Sequence, residues 1–586
     1  MSWRPGFIQR VTLVLMASGC TGASVNDDTV GARVAALGDF YVEAYFDAFP
    51  HHATIAGRAS GPHDRLPDIS PAARARWGAI EDSLLAEVQA IDSAQLGSGS
   101  AEAVTYGFLR DVLRNAIGFR ACQMALWNVS PTWTGWPQEL AIVANSQPIG
   151  TAEQNVAAYR RFAEFGRYID QEIANLHEGL DSGYSAPQGN VRSVIRQVDA
   201  MLAGPVSESP FVSMAPDSMP EFRERMAQLE TEQVRPAITR YRDFLRDEYL
   251  PRARSAIGVS ANPGGTGCYR AAVAHHATVD MSAEDVHRTG LEQMEKIRGE
   301  MQEIARRAFG TSDVAEALRL VSTDRRYLLS GRAEMQRIAE AAVRRAEAAM
   351  PLAFGRLPSA KVVVEPVAAY AEASAPGGFY SNPAEDGSRP GTYFINLRGA
   401  AGKPRAGLES TAFHETWPGH HLQSALALER AGLHPIARYL FQSGFGEGWG
   451  LYSERLADEM GLFTSDVDRM GLFSNAALRA ARLVVDAGMH VLSWSRDQAI
   501  EYMLANTAES RADVESEVDR YIAVPGQATS YMLGNLEIRR LREEAQTKLG
   551  PAFDLRTFHD KVLEDGTVPL SLLREKIEAW LKTGGG

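Results

Sequence analysis

The chain has 586 residues, a net charge of −13 and three cysteines, with 45% hydrophobic and 23% charged residues. A chain of this length buries a large core without needing disulfides or metal to fold. Its acidic balance, spread without long blocks of one sign, excludes a phosphate-binding surface as its main business and so a nucleic-acid partner. The first predicted element is a targeting segment. Arg4 and Arg10 lead into the apolar run 11–17, which ends in Ala17-Ser18-Gly19-Cys20, a basic segment, a short apolar segment and small residues before a cleavage point. The run is too short to cross a bilayer.

This ending resembles a bacterial lipoprotein signal, departing from it at Ala17, where Leu or Val is commoner. The resemblance implies that residues 1–19 are removed and that Cys20 is lipidated. The chain would then be exported and anchored in the bacterial cell envelope through Cys20 alone, or periplasmic if the signal is an ordinary secretory one. Residues 20–32 are small and polar and read as a tether, with the folded body at 33–586. Cys122 and Cys268 remain as a disulfide pair or as two buried thiols, and sequence separation does not decide between these.

Beyond the tether the spacing predicts helices. Leu37, Phe40, Tyr41, Ala44 and Ala48 fall on one face, and similar periodicity recurs at 75–125, 152–180 and 221–256. Pro- and Gly-containing stretches at 203–220 and 258–267 mark loops, and a helix resumes behind a Ser282 cap with Asp285 three residues on. After Pro358 the texture changes. "KVVVEPV" and "GTYFINL" are β-branched and aromatic, the second fenced by turn residues, and predict a small sheet at about 360–400. Helices return to the end, where Leu573, Ile577, Trp580 and Leu581 share a face. The fold class is mainly α, a large helical body edged by a small sheet, with an N-terminal helical part at 33–270 and a catalytic part at 271–586.

Directly after the sheet stands "FHETWPGHH", residues 413–421. In the zinc-peptidase signature His-Glu-x-x-His the two histidines lie about 6 Å apart along one helix face. Here His414 is the first, and Pro418 stands where the second should be. On a straight helix His421 returns to the same face but roughly 10.5 Å away, and His420 points elsewhere. Zinc–nitrogen bonds of about 2 Å therefore require the helix to break, and Pro418-Gly419 supplies the break. Spacing alone leaves His420 and His421 open.

"FHETWPGHHLQ", "GEGWGLYSERLADEMGLF", "RLVVDAGMH" and "RYIAVPGQATSYMLG" together resemble the bacterial family catalogued as domain of unknown function 885, grouped with gluzincin-type zinc peptidases. The resemblance implies a deep active-site cleft and one zinc ion per chain, with His420 as the second ligand and His421 as its neighbour. It also implies a carboxylate as third ligand on a later helix. Glu447 lies 27 residues beyond His420 and fits, and Glu454 is the second choice or a partner that orients a ligand. Glu415 is then the general base and acid, taking a proton from the attacking water and returning it to the leaving amine. Tyr531 is the preferred oxyanion donor, with His490 accompanying it and Tyr521 in reserve. Arg520, Arg539 and Arg540 are candidates for pairing with a substrate carboxylate.

The expected function is an envelope zinc metallopeptidase that cleaves short peptides. The alternatives are a zinc amidase or esterase on non-peptide acyl substrates, and a non-catalytic peptide-binding lipoprotein. "GTYFINL" is a candidate for pairing with an extended peptide, or else Tyr393, Ile395 and Leu397 pack one face of a sheet. The pairs His51-His52 and His275-His276 lack an adjacent Glu and a Pro-Gly break, and read as capping or surface residues. The aromatics of "LWNVSPTWTGWPQEL" line a cleft or fill gaps between helices.

Overall fold

Thr29 caps the first helix, its hydroxyl accepting the Ala32 amide, so that residues 30–32, expected as tether, already belong to the helix Val30–Ala48. In this computed structural model the described residues are 29–97, 99–367, 372, 376–384, 387 and 389–585, and the signal segment and Cys20 lie outside them. Leu37 and Tyr41 are buried as their spacing predicts, whereas Phe40 is 47% exposed. No helix among the described residues is long and apolar enough to cross a membrane.

Each of the three long helical stretches is realised as two helices. The first divides into Pro71–Gln89 and Ala101–Phe119, the second into Ala152–Ala163 and Phe165–Asp181, and the third into Pro220–Leu229 and Arg235–Phe244. Pro236 explains the last division. Its ring removes an amide donor, and a π turn at Glu230–Val234 absorbs the loss. Ser282 caps the helix Ala283–Phe309 by accepting the Asp285 amide, as its position predicts.

The sheet has three strands, β1 (Val362–Pro366), β2 (Gly378–Ser381) and β3 (Gly391–Ile395), in the order β1-β3-β2. β3 runs parallel to β1 and antiparallel to β2. It is the central strand, with both hydrogen-bonding edges occupied, so an added peptide cannot pair with "GTYFINL". That expectation is overturned, while Tyr393, Ile395 and Leu397 are buried together in the core. β2 escaped prediction because four residues beginning with glycine show no alternation.

The hydrophobic cores do not divide at residue 270. Buried side chains from 34–113 share one core with others from 329–462 and 538–581, and Arg110 pairs with Glu575 at 2.9 Å across that seam. A second core joins 259–321 to 451–533, and a third, more local one is built from 129–253. Cys122 and Cys268 form a disulfide with their Cα atoms 4.6 Å apart, which resolves the two open readings.

His559 sits fully buried in the first core region, its Nδ1–H donating to the Ala353 carbonyl at 2.8 Å and Nε2 bonded to the Tyr452 hydroxyl at 2.7 Å. Burial pushes its pKa down to about 3. The unfolded chain therefore takes up this proton near the ordinary value while the folded chain does not, and stability is lost as pH falls from about 6.5 towards 3. His559→Asn is expected to lower the Tm at pH 8 through lost packing, yet to flatten the acid slope by up to about 1.4 kcal/mol per pH unit. Thermal melts of both proteins between pH 8 and 4 check this.

Candidate metal centre

The motif helix Leu408–Glu415 stops where Thr416 leaves the helical region, at φ −121° and ψ −107°, and a new helix, His420–Glu429, begins after Pro418-Gly419. The Trp417–Pro418 peptide is cis. The Gly419 amide donates to the Phe413 carbonyl at 3.1 Å, and a Cβ on Gly419 would lie 1.9 Å from the His414 carbonyl oxygen, so no side chain fits there. Trp449 pins the turn by donating its indole N–H to the Pro418 carbonyl at 2.9 Å. The turn folds His420 back onto His414, and their ring centroids lie 4.7 Å apart.

Glu447 comes from the helix Ser443–Glu459, which crosses Ser530–Leu549 at glycines. A Cβ on Gly534 would meet the Gly444 carbonyl oxygen at 1.8 Å. Gly450 on the same helix leaves room for the His414 ring, whose Cε1 would stand 2.5 Å from a Cβ there. Glu447 Oε2 lies 3.5 Å from His414 Nε2 and 3.6 Å from His420 Nε2. One donor atom from each of the three residues falls within 4.8 Å of the other two. Behind them, fully buried Glu454 bonds His414 Nδ1 at 2.9 Å, accepts from the Ser410 hydroxyl and lies 3.9 Å from Arg479. Glu454 thus fixes the His414 ring through Nδ1 and leaves Nε2 facing Glu447.

Charge at the centre is out of balance. Burial opposes ionisation of both partners, yet hydrogen bonds to Glu447 and Glu454 hold His414 up to about 10. Those from His414 and His420 hold Glu447 well below the carboxylate range. Burial raises the pKa of Glu415, partly offset by the two histidines. Glu415, Glu447 and Glu454 thus gather beside two imidazoles and Arg479, and a divalent cation could take the place of the imidazole protons in balancing the carboxylates. Two imidazole nitrogens and a carboxylate oxygen are a donor set suited to zinc.

A family model described as bacterial protein of unknown function (DUF885) matches residues 50–577. The chain belongs to this family. Two of the solved structures that resemble this DUF885 protein show how far the likeness extends. A candidate lipoprotein of Colwellia psychrerythraea is 28% identical, with a TM-score of 0.86 over 95% of this chain and 100% of that one. A candidate lipoprotein of unknown function from Shewanella oneidensis is 18% identical, with a TM-score of 0.72 over 92% and 99%, and shows the shared fold alone. No curated protein matches the chain.

In this DUF885 chain His414, Glu415, His420 and Glu447 all line one large cavity of about 4310 Å³, and so does Tyr531. Burial and then the Glu447 charge push the Tyr531 hydroxyl up to about 12, and the Arg482 guanidinium lies over its ring at 4.4 Å. His490 is elsewhere. It is completely buried, with Nδ1 accepting the Val259 amide and Nε2 donating to the Tyr521 carbonyl at 2.9 Å, so the expectation of a catalytic His490 is corrected. Tyr521 is likewise buried, donating to Glu517 and accepting from Arg482. His421 turns away from the centre, bonding the Tyr380 hydroxyl at 2.9 Å and the Ala360 carbonyl at 3.1 Å, and it clips the motif to the sheet. Arg520 lines the cavity but is paired with Glu517, and Arg540 is spent on Glu537 and Glu544.

The histidine pairs differ from their reading. His275 lies flat on Phe119 at 4.4 Å and, with His276, lines the cavity, while His51 is buried. The aromatic stretch divides: Trp127 and Trp136 are core residues, and Trp133 is exposed on the cavity wall. Arg479 and Arg482 were missed by sequence reasoning. The available signal was two arginines three residues apart in the otherwise apolar stretch 476–485 of the helix Asp466–His490.

Proposed function

We propose that this DUF885 protein is a zinc-dependent hydrolase of the cell envelope, a metallopeptidase acting on short peptides. The convergence of His414, His420 and Glu447 beside Glu415 on the wall of the cavity carries this reading. When bound, zinc lowers the pKa of water and polarises a carbonyl. Glu415 accepts the proton of the attacking water and passes it to the leaving amine. Tyr531, kept protonated at neutral pH, donates a hydrogen bond to the developing oxyanion. Among the described residues β2 is an outer strand, its Gly378, Phe379 and Tyr380 line the cavity, and an extended peptide pairs there in place of β3. The lipoprotein-like N-terminal segment and the candidate lipoproteins among the similar structures support the envelope location.

A peptide-library digest of the purified protein, with chelator and after zinc is restored, tests the reading. Cleavage that stops and returns supports it. Turnover of acylated amino acids without peptide cleavage would move the protein to the amidases, and zinc-independent peptide binding without turnover would make it a binding lipoprotein. On the same substrates Tyr531→Phe is expected to lower kcat by about 10²–10³ with little change in KM, as removal of one oxyanion donor does. Steady-state kinetics read the split.

A further inference from the structure

A second cluster of the same donor types stands apart from the centre just described. His51 and His52 open the short helix Pro50–Ile55, and Glu139 projects from the helix Trp136–Ser146. Glu139 Oε1 lies 3.3 Å from His51 Nε2 and 3.8 Å from His52 Nε2, and the three donor atoms fall within 4.8 Å of one another. Zinc bonds of about 2.0–2.2 Å in a tetrahedral arrangement place ligand atoms roughly 3.4 Å apart, and both imidazole–carboxylate separations lie close to that spacing.

Three further features separate this cluster from an incidental ion pair. The His52 Nδ1 is held at 2.7 Å by the Tyr45 hydroxyl, and its ring is stacked against Tyr45 and Phe49, which leaves Nε2 aimed at the carboxylate. His51 is only 5% exposed, and its ring is held with Nε2 3.3 Å from the carboxylate. Among the described residues the ion-pair partners of Glu139 are these two imidazoles. Arg161, whose charge acts on His51, is itself held by neutral acceptors, with Thr54 at 2.6 Å, Gln147 at 2.9 Å and the Pro62 carbonyl at 2.7 Å. His52 and Glu139 both line the cavity shared with the first centre.

We propose that His51, His52 and Glu139 bind a second transition-metal ion of the zinc class, which staples the Pro50–Ile55 helix to Trp136–Ser146 at the cavity wall. This does not depend on the His414 centre. Zinc content after loading and desalting is expected to be two ions per chain in the wild type, one in Glu139→Gln, one in His420→Ala and none in the double variant. His52, at the cavity wall, is the variant least exposed to a folding defect, and His52→Ala is expected to bind one ion and to lose at least half of the zinc-induced rise in Tm. Cobalt titration should show two spectrally distinct steps in the wild type and one in His52→Ala. Wild-type zinc content in both Glu139→Gln and His52→Ala would overturn the proposal. If instead the first centre is wrong, His420→Ala keeps the wild-type content while Glu139→Gln falls.

Discussion

Glu415→Gln is expected to abolish peptide cleavage while the protein keeps its zinc at the His414 centre. Glutamine fills the same volume but has no basic oxygen, and position 415 is not among the three donors that converge there. The carboxylate is useful because of its surroundings. Burial pushes its pKa up towards the working pH, while His414 and His420 keep the shift within bounds. A base so poised contributes about 10²–10⁴ to rate, and losing it should lower kcat by at least that much. Zinc content and kcat measured on one preparation give the comparison. Turnover at the wild-type rate would remove Glu415 from the mechanism, whatever the metal content.

The break in the motif was legible because proline and glycine act locally. Their effect on the helix follows from backbone chemistry, and the two helices do part between Glu415 and His420. The choice between His420 and His421 was not legible from spacing, because it depends on how the second helix is rotated after the turn. That rotation is set by distant contacts, Trp449 with Pro418 and His421 with Tyr380. His490 misled for a related reason. Its helix is buried on nearly every side, so no polar stripe marks which face meets the cavity. β3 read clearly as a strand, but its central place could not be inferred while β2 went unseen. The meeting of His51 and His52 with Glu139 is wholly tertiary, joining elements far apart in sequence that share no local pattern.

Glu447→Gln should remove the ion along with the activity, which separates it from Glu415→Gln. Glu447 is the charged donor that both imidazoles face, at 3.5 and 3.6 Å, and an amide oxygen replaces its negative charge with a weak dipole. Altering a residue that only orients a zinc ligand already costs about 10–100-fold in affinity, so loss of the ligand itself should cost more than 100-fold. Zinc supplied at 100 times the wild-type Kd stabilises a one-site protein by about 2.7 kcal/mol, whereas a 100-fold weaker site gains only about 0.4 kcal/mol. The comparison belongs in the His52→Ala background, so that only the His414 centre responds. Thermal melts with zinc and with chelator should then show a rise in Tm for the parent and almost none for the Glu447→Gln chain. The two chelated proteins should melt within a few degrees of each other, because glutamine keeps the volume of Glu447 and Glu454 still holds His414 at Nδ1.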